Sequence, residues 1–186
     1  MRADAARRRA RIIDEARRLF AAYGGGVALE TVAEAAQVGI ATLYRNFESR
    51  SALGDEVAQA ILGDMRAAAQ EALAGDGAMT AASWDAYVRR LVDLDLGALT
   101  AALAEHADDA FSEAVRMSQD VTLAGVEEVL AAARAADCVR DDIGALELVV
   151  LIGMITRPQA EAVHRAAPDL VEHLLAVVLD GMRPPR

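Results

Sequence analysis

The chain has 186 residues, enough to bury a core of its own, and 54 % of them are hydrophobic. Its formal net charge of −10 argues against a uniformly nucleic-acid-binding surface, and its single cysteine excludes an internal disulfide. The charge is unevenly spread: residues 1–50 carry nine arginines against six acidic residues, whereas residues 51–186 carry ten against twenty-three. A contact with DNA is therefore expected in the basic first part.

Three helices are predicted in residues 1–50. From Ala5 to Tyr23, apolar residues recur at the spacing of one helical face, and the glycines that follow, from Gly24 to Gly26, end that helix. Two short helices are predicted at residues 29–36 and 40–46, with a tight turn between them. We interpret residues 1–50 as one domain, a three-helix head.

A long helix, capped by Ser49 and running to about Leu73, is predicted to connect this head to the rest of the chain. The stretch from Gly75 to Gly77 is the clearest linker. Further helices are predicted at about residues 83–96, 111–135, 143–156 and 169–182. Because Ala, Leu, Arg and Glu favour helices and no strand pattern occurs, the expected fold is all-α, with residues 51–186 forming a helical body.

Neither a signal peptide nor a membrane span is predicted. Arginines interrupt the N-terminal stretch at positions 7, 8, 9 and 11. The most apolar run, from Leu146 to Ile155, is much shorter than the roughly 20 residues that a transmembrane helix needs. We therefore expect a cytoplasmic protein with no membrane partner.

The segment from Leu29 to Leu53, LETVAEAAQVGIATLYRNFESRSAL, carries the functional signal. Two short helices joined by a three-residue turn, behind a longer stabilising helix, are typical of a helix-turn-helix. In that motif the second short helix enters the major groove of DNA while the first lies against the backbone. Small alanines at positions 33, 35, 36 and 41 allow the two helices to cross closely. The segment therefore predicts DNA binding.

The sequence resembles the TetR family of bacterial regulators in three stretches: RARIIDEARRLFAAYG (Arg9 to Gly24), TVAEAAQVGIATLYRNF (Thr31 to Phe47) and SRSAL (Ser49 to Leu53). These stretches cover about the first third of the chain, and the remainder matches only in general layout. The resemblance implies a homodimeric transcriptional regulator, by default a repressor, that a small-molecule effector releases from a palindromic operator in double-stranded DNA.

The resemblance also implies which residues contact DNA. Tyr44 would donate its hydroxyl to a phosphate, Ile40 and Ala41 would lie near base edges, and Arg50 would bind a phosphate. The full predicted set is Thr31, Ile40, Ala41, Thr42, Tyr44, Arg45, Asn46 and Arg50. The N-terminal arginines would add phosphate or minor-groove contacts. Three alternatives remain open: Tyr44 packs in the core, Arg45 pairs with a nearby acid, and the N-terminal arginines are a solvated helix end.

Three positions depart from the family pattern. Gln37 stands where the turn usually has a glycine, and a positive φ there costs another residue about 1 kcal/mol. Ala28 offers no side-chain cap, and Asn46 stands where His or Tyr is common. We therefore expect a modest affinity or an unusual operator.

The last two predicted helices are apolar around much of their circumference, so they need burial on more than one side. A second copy of the chain would supply it, and purely intrachain packing is the alternative. In TetR-like proteins these helices form a four-helix dimer interface. The predicted interface residues are Val149, Ile152, Gly153, Leu170, Leu174 and Val178. A two-fold dimer implies a near-palindromic operator, with half-sites about one helical turn or more apart.

An effector pocket is expected between the middle helices, because small-molecule sites are mostly apolar with a few polar groups. The predicted lining is Trp84, Tyr87, His106, Phe111, Met117, Gln119 and Met154, and Met65 of the long helix is expected to reach it. Packing in the core is the alternative for the aromatic residues and methionines. Regulation would follow if the ligand favours one spacing of the two heads over another.

No enzyme motif is present, and the three histidines, His106, His164 and His173, show no metal-binding spacing. We therefore expect no catalysis, no metal and no cofactor. The remaining alternative is a helical small-molecule-binding or protein-interaction module without DNA binding.

Overall fold

The computed structural model describes residues 2–75, 77–94, 96–99, 112–157 and 159–185. The head contains α1 (Arg2–Tyr23), α2 (Leu29–Ala35) and α3 (Ile40–Asn46). The body contains α4 (Arg50–Leu73), α5 (Ala81–Val92), α6 (Glu113–Ala135), α7 (Ala145–Ile155), α8 (Glu161–Ala166) and α9 (Leu170–Gly181). Residues 96–99 form a further helical turn, and no strand occurs in the described ranges. The prediction of an all-α fold is confirmed.

The head is held together by a small apolar core. Ile12 and Ala16 of α1, Val32 of α2 and Leu43 of α3 have no exposed surface. The first helix ends as its glycines predict, because Gly24 has a φ of +82° and its amide donates to the carbonyl oxygen of Phe20 at 2.9 Å. The positions of α2 and α3 follow from this core, since each presents one apolar face to α1 or to the other.

Helix α4 belongs to both parts of the molecule. It begins after Ser49, whose hydroxyl accepts a hydrogen bond from the amide of Ala52 at 3.0 Å. It packs against α1 in the head and against α5 and α6 in the body. The predicted domain boundary after residue 50 coincides with its first residue, but the helix itself serves both cores, so the boundary stays a prediction.

The largest difference from the predicted helices is at α5, which was expected at residues 83–96 and is found at Ala81–Val92. Thr80 caps it, accepting from the Ser83 amide at 3.1 Å, while the Ser83 hydroxyl accepts from the Thr80 amide at 2.8 Å. This reciprocal capping pair starts the helix earlier than the apolar pattern suggests. Helix α8 was not predicted, and it has no buried residue that a pattern would reveal.

The body core lies between α4, α5, α6 and α7, where Trp84, Leu130 and Leu148 are almost fully buried. Residues 96–99 pack closely against the end of α7, because a Cβ placed on Gly97 would come within 3.0 Å of the carbonyl oxygen of Thr156. Within the described ranges, no helix combines the length and apolarity of a membrane span.

Candidate DNA-binding surface and ligand cavity

Helix α3 has one face buried in the head and one face in solvent. Leu43 is fully buried, whereas Ile40 and Tyr44 are 36 % and 48 % exposed and Ala41 is exposed as well. The alternative that Tyr44 packs in the core is therefore wrong, and its hydroxyl is free to meet a partner outside the chain. An exposed face on the second short helix is the feature that a helix-turn-helix places in the major groove.

The polar residues of α3 bond to their own helix. Arg45 donates to the hydroxyl of Thr42 at 2.9 Å, and it forms no ion pair with any described residue. The side-chain amide of Asn46 donates to the carbonyl oxygen of Thr42 at 2.7 Å. Arg45 is therefore the exposed member of this group, whereas Thr42 and Asn46 are half-buried and Asn46 already uses its donor within the helix.

The turn between α2 and α3 carries the strain that the sequence predicts. Gln37 has a φ of +53°, in the left-handed region that favours glycine. The turn is closed by the Val38 amide, which donates to the carbonyl oxygen of Ala33 at 2.9 Å. Ala28 supplies no side-chain cap to α2, as expected, and Thr31 on that helix is exposed.

Several arginines of the head hold it together through contacts that no sequence pattern predicted. Arg50 donates to the carbonyl oxygen of Gly25, and Arg11 to that of Ala36, each at 2.7 Å and across 25 residues of chain. Arg9 pairs with Glu56 at 2.6 Å and lies over the Phe47 ring, 4.9 Å from its centroid. These three cations therefore fix the angles between α1, the helix-turn-helix and α4. Arg7 pairs with Asp4 on the surface.

Arg17 links the head to the body. One terminal nitrogen of its guanidinium lies 2.5 Å from Oδ2 of Asp64 on α4, and the other donates to the carbonyl oxygen of Leu94 at 2.9 Å. Leu94 lies just before residues 96–99, so one side chain of α1 touches both the long helix and the segment that follows α5. No sequence pattern indicated this contact, because it joins residues 77 positions apart.

A cavity of about 80 Å³ lies in the body, among four stretches of chain. It is lined by Leu62, Met65, Leu96, Leu99, Val115, Gln119, Thr122, Leu123, Leu146, Val149, Val150 and Gly153. Two expectations from the sequence, Gln119 and Met65, agree with this lining. Gln119 and Thr122 are its two polar residues, and no charged or aromatic side chain lines it among the described residues.

The other predicted pocket residues lie elsewhere. Trp84 and Tyr87 are buried in the core, with their ring centroids 6.0 Å apart. Neither the indole nitrogen nor the phenol oxygen has a hydrogen-bond partner in the described chain, and burial raises the pKa of Tyr87. Met117 and Met154 are more than half exposed. His106 and Phe111 fall outside the described residues.

One wall of the cavity is backed by a cation that has no acidic partner among the described residues. Arg66 of α4 donates to the hydroxyls of Ser118, at 2.7 Å, and Thr122, at 3.0 Å. The Thr122 hydroxyl in turn donates to the carbonyl oxygen of Ser118 at 2.7 Å. Thr122 therefore faces the cavity with its donor already committed, whereas Gln119 makes no side-chain hydrogen bond to a described residue.

The predicted dimer residues divide into two groups. Leu174 is 37 % exposed, and Leu170 and Val178 are half-buried on α9. Ile152 has no exposed surface and packs inside the protomer, where a partner cannot reach it, while Val149 and the buried Gly153 line the cavity.

The outward residues of α7 and α9, which we call the apolar face, are Leu146, Val150, Met154, Leu174 and Val177. On α7 they repeat every four residues, so they form one stripe.

Among the described residues, no group of three or more histidine, cysteine or acidic side chains is placed to hold a metal ion. The one cysteine, Cys138, is buried, and burial is the largest cause of its raised pKa. The outward face of α3 and the mostly apolar, enclosed cavity are the candidate binding sites on which the comparison with known proteins bears.

Comparison with known proteins gives matches to both parts of the chain. The family described as bacterial regulatory proteins, tetR family, matches residues 12–57. The C-terminal domain of SbtR-like transcriptional regulators matches residues 79–184. A search of curated protein sequences found no match.

Solved structures resemble the chain over nearly its whole length. A TetR regulatory protein from Mycobacterium vanbaalenii is 32 % identical, with 98 % of this chain and 99 % of that chain covered and a TM-score of 0.63. A TetR regulator from Streptomyces coelicolor is 28 % identical, with 96 % and 99 % covered and a TM-score of 0.64. The TetR-like regulator LfrR from Mycobacterium smegmatis, solved in complex with proflavine, is 22 % identical, with 97 % and 98 % covered and a TM-score of 0.62.

Proposed function

The chain belongs to the TetR family of transcriptional regulators, and from that premise we propose that it is a homodimeric repressor which leaves a near-palindromic operator when a small molecule binds its body. The observation that carries the proposal is the outward face of α3. It exposes Ile40, Ala41 and Tyr44 on a helix whose other side is anchored by the buried Leu43.

The charge distribution fits this use of α3. Residues 1–50 have more arginines than acidic residues, whereas the rest of the chain is strongly acidic, so phosphates attract the head and repel the body. Because Arg11 and Arg50 already bind backbone carbonyl oxygens, their main role in this proposal is to hold α3 at the correct angle. Tyr44 and Arg45 are the polar side chains of α3 best placed to reach DNA.

The apolar face supports a dimer. Its stripe of Leu146, Val150 and Met154 would remain in water in a monomer, and contiguous apolar patches of this kind mark interaction sites. A two-fold axis through α7 and α9 would place two copies of α3 in successive major grooves, which is why a symmetric operator is proposed. LfrR, which shares the fold, binds proflavine, and this supports a small-molecule effector.

The decisive experiment is a selection of random duplex DNA on the purified full-length protein, followed by a salt titration of the enriched sequence. We expect a two-fold-symmetric sequence whose binding weakens steeply as salt rises. The double variant Thr42→Ala, Tyr44→Phe should lose most of this binding. Tyr23→Phe is the matched control, because Tyr23 is 74 % exposed on α1 outside the helix-turn-helix and should leave binding unchanged.

A folded dimer that enriches no sequence at low salt, with and without added ligand, would overturn the DNA-reading proposal. The chain would then act as a helical small-molecule-binding or protein-interaction module. Equal losses in the α3 variant and in Tyr23→Phe would also count against it, because they would show a change in the whole head instead of a lost contact.

The dimer is tested separately by sedimentation. Val150→Glu with Met154→Glu places two charges in the apolar face and should give monomers. Met117→Glu adds a charge at an equally exposed apolar position on α6 and should leave the dimer intact. Dissociation by Met117→Glu alone would move the interface to α6.

A further inference from the structure

We propose that the cavity takes a small, uncharged aliphatic molecule with one polar group that both donates and accepts a hydrogen bond, and that Gln119 recognises this group. The inference rests on the proposed function only in treating the cavity as the effector site. The binding itself is argued from the cavity wall.

The wall is aliphatic on all sides that the structure describes. Leucine, valine and methionine side chains from α4, residues 96–99, α6 and α7 form it, with no charged or aromatic side chain among the described residues. An unpaired charge placed in such surroundings loses its hydration without a compensating partner. Among the described residues, a flat aromatic cation would likewise find no ring to stack on and no carboxylate to pair with. The described part of the wall therefore favours a neutral ligand of aliphatic character.

The two polar groups of the wall are not equivalent. The Thr122 hydroxyl accepts from Arg66 at 3.0 Å and donates to the Ser118 carbonyl oxygen at 2.7 Å, so it already has both kinds of partner. Gln119 makes no side-chain hydrogen bond to a described residue, and its amide offers a donor and an acceptor. A ligand that carries an amide or a hydroxyl can satisfy Gln119, whereas a pure hydrocarbon leaves that amide unpaired.

The volume of the cavity further restricts the class of ligand. At about 10–15 Å³ for each water-sized sphere, a cavity of about 80 Å³ has room for about six non-hydrogen atoms, which corresponds to a chain of about four carbons with a head group. Leu146 and Val150 line the cavity and are also about half exposed, so the opening lies at this part of α7. A longer chain would extend through that opening only in a monomer, because Leu146 and Val150 also belong to the apolar face that the proposed dimer buries.

The test compares butanamide, butanoate and butylammonium, which have the same carbon chain and differ in the charge of the head group. Binding is followed on the full-length protein, without DNA, by NMR of methyl-labelled methionine. Met65 lines the cavity, so its signal, assigned with Met65→Leu, should shift, while the exposed Met117 and Met154 serve as internal controls. We expect butanamide to bind at least about tenfold more tightly than either charged analogue.

Variants separate the polar contact from the cavity itself. Gln119→Leu should weaken the binding of butanamide by about five- to tenfold. Binding of xenon, which needs only an apolar cavity, should persist. Gln70→Leu, an exposed change on α4 outside the cavity lining, is the matched control and should change neither. Tighter binding of butanoate that disappears in Arg66→Met would overturn the proposal, because it would make the ligand an acid held by Arg66.

Failure here is distinguishable from failure of the proposed function. A protein that selects an operator but shifts no Met65 signal with butanamide overturns the ligand class and leaves the DNA-reading proposal standing. A protein that binds butanamide but selects no DNA overturns the DNA-reading proposal and leaves the ligand class standing.

Discussion

In the head, the residues proposed to meet DNA come mostly from one helix of seven residues, whereas the cavity in the body is formed by four stretches of chain between Leu62 and Gly153. The head works through side chains that point outward from a small core. The cavity of the body is lined by side chains that point inward and leave a space. A substitution on the outward face of α3 should therefore change binding with little effect on folding, whereas most changes at the cavity should affect both.

The largest effect is expected from removing part of the head core. Leu43→Ala should cost about 2–5 kcal/mol, because the side chain is fully buried and few neighbours can close the cavity that it leaves. Since Trp84, the only tryptophan, lies in the body, its emission reports the body alone. When the Leu43→Ala variant is heated, its helix content, measured by far-ultraviolet circular dichroism, should fall at a lower temperature than the one at which Trp84 emission changes.

Leu130→Ala, an equally buried change in the body, is the matched variant, and it should move the Trp84 transition itself. If Leu43→Ala moves both signals together, head and body unfold as one unit and the comparison between them fails.

The next largest effect is expected from breaking the contact between the head and the body. Arg17→Met removes the bonds to Asp64 and to the Leu94 carbonyl oxygen and should cost about 1–2 kcal/mol, because one lost partner is a carboxylate and the other belongs to the buried Leu94. It should also reduce the change in operator affinity that a cavity ligand causes, with ligand binding itself preserved. Arg18→Met is the control, since among the described residues Arg18 forms an ion pair with Glu15 alone, on the surface of α1. Equal behaviour of the two variants would remove Arg17 from the coupling.

A smaller change in stability, of opposite sign, is expected from a substitution in the body core. Tyr87→Phe removes a buried hydroxyl that has no hydrogen-bond partner in the described chain, so it should stabilise the protein by about 1 kcal/mol. Thermal unfolding would measure this, with Tyr23→Phe as the exposed control. A loss of stability in Tyr87→Phe would mean that the hydroxyl binds water or a ligand, and it would return Tyr87 to the candidate binding residues.

The smallest expected effect is on how the stability of the fold depends on pH below neutrality. Hydrogen bonding from Arg134 holds the pKa of Glu127 below its usual 4.5, and the Ala145 amide adds to this. Because the folded pKa is depressed, the contribution is present above pH 4.5 and is lost as the pH falls through the folded value. The pair is partly exposed, so we expect less than about 1 kcal/mol. Glu127→Gln should flatten the loss of stability between neutral and acid pH, and an unchanged profile would contradict the assignment.

The difference between the two parts also explains what could be predicted from the sequence. The bounds of α3, its buried Leu43 and the strained Gln37 follow from patterns within a few residues. The bonds from Arg11 and Arg50 to carbonyl oxygens could not be predicted, because each spans 25 residues and depends on how the helices cross.

In the body, helical periodicity predicted most helices but not which apolar side faces which neighbour. Trp84 and Tyr87 were assigned to the pocket on residue type, yet the face of α5 that carries them packs into the core. Ile152 and Gly153 were assigned to a partner interface, yet α7 turns them inward and presents Leu146 and Val150 instead. The rotation of a helix about its axis is fixed by packing, and a stripe that is apolar nearly all round does not determine it.

The uninterrupted course of α4 has a mechanical consequence. With a rise of about 1.5 Å per residue, the part of α4 between Met65, at the cavity, and Arg50, at the head, is about 22 Å long. A tilt of about 5° moves the wall by about 0.4 Å between Leu62 and Met65, but it displaces the end at Arg50 by about 2 Å. Opposite tilts in two protomers would change the distance between the α3 helices by about 4 Å, roughly a tenth of the spacing of successive major grooves. In the proposed dimer, an adjustment smaller than a bond length inside the body would thus be amplified into a misfit on DNA.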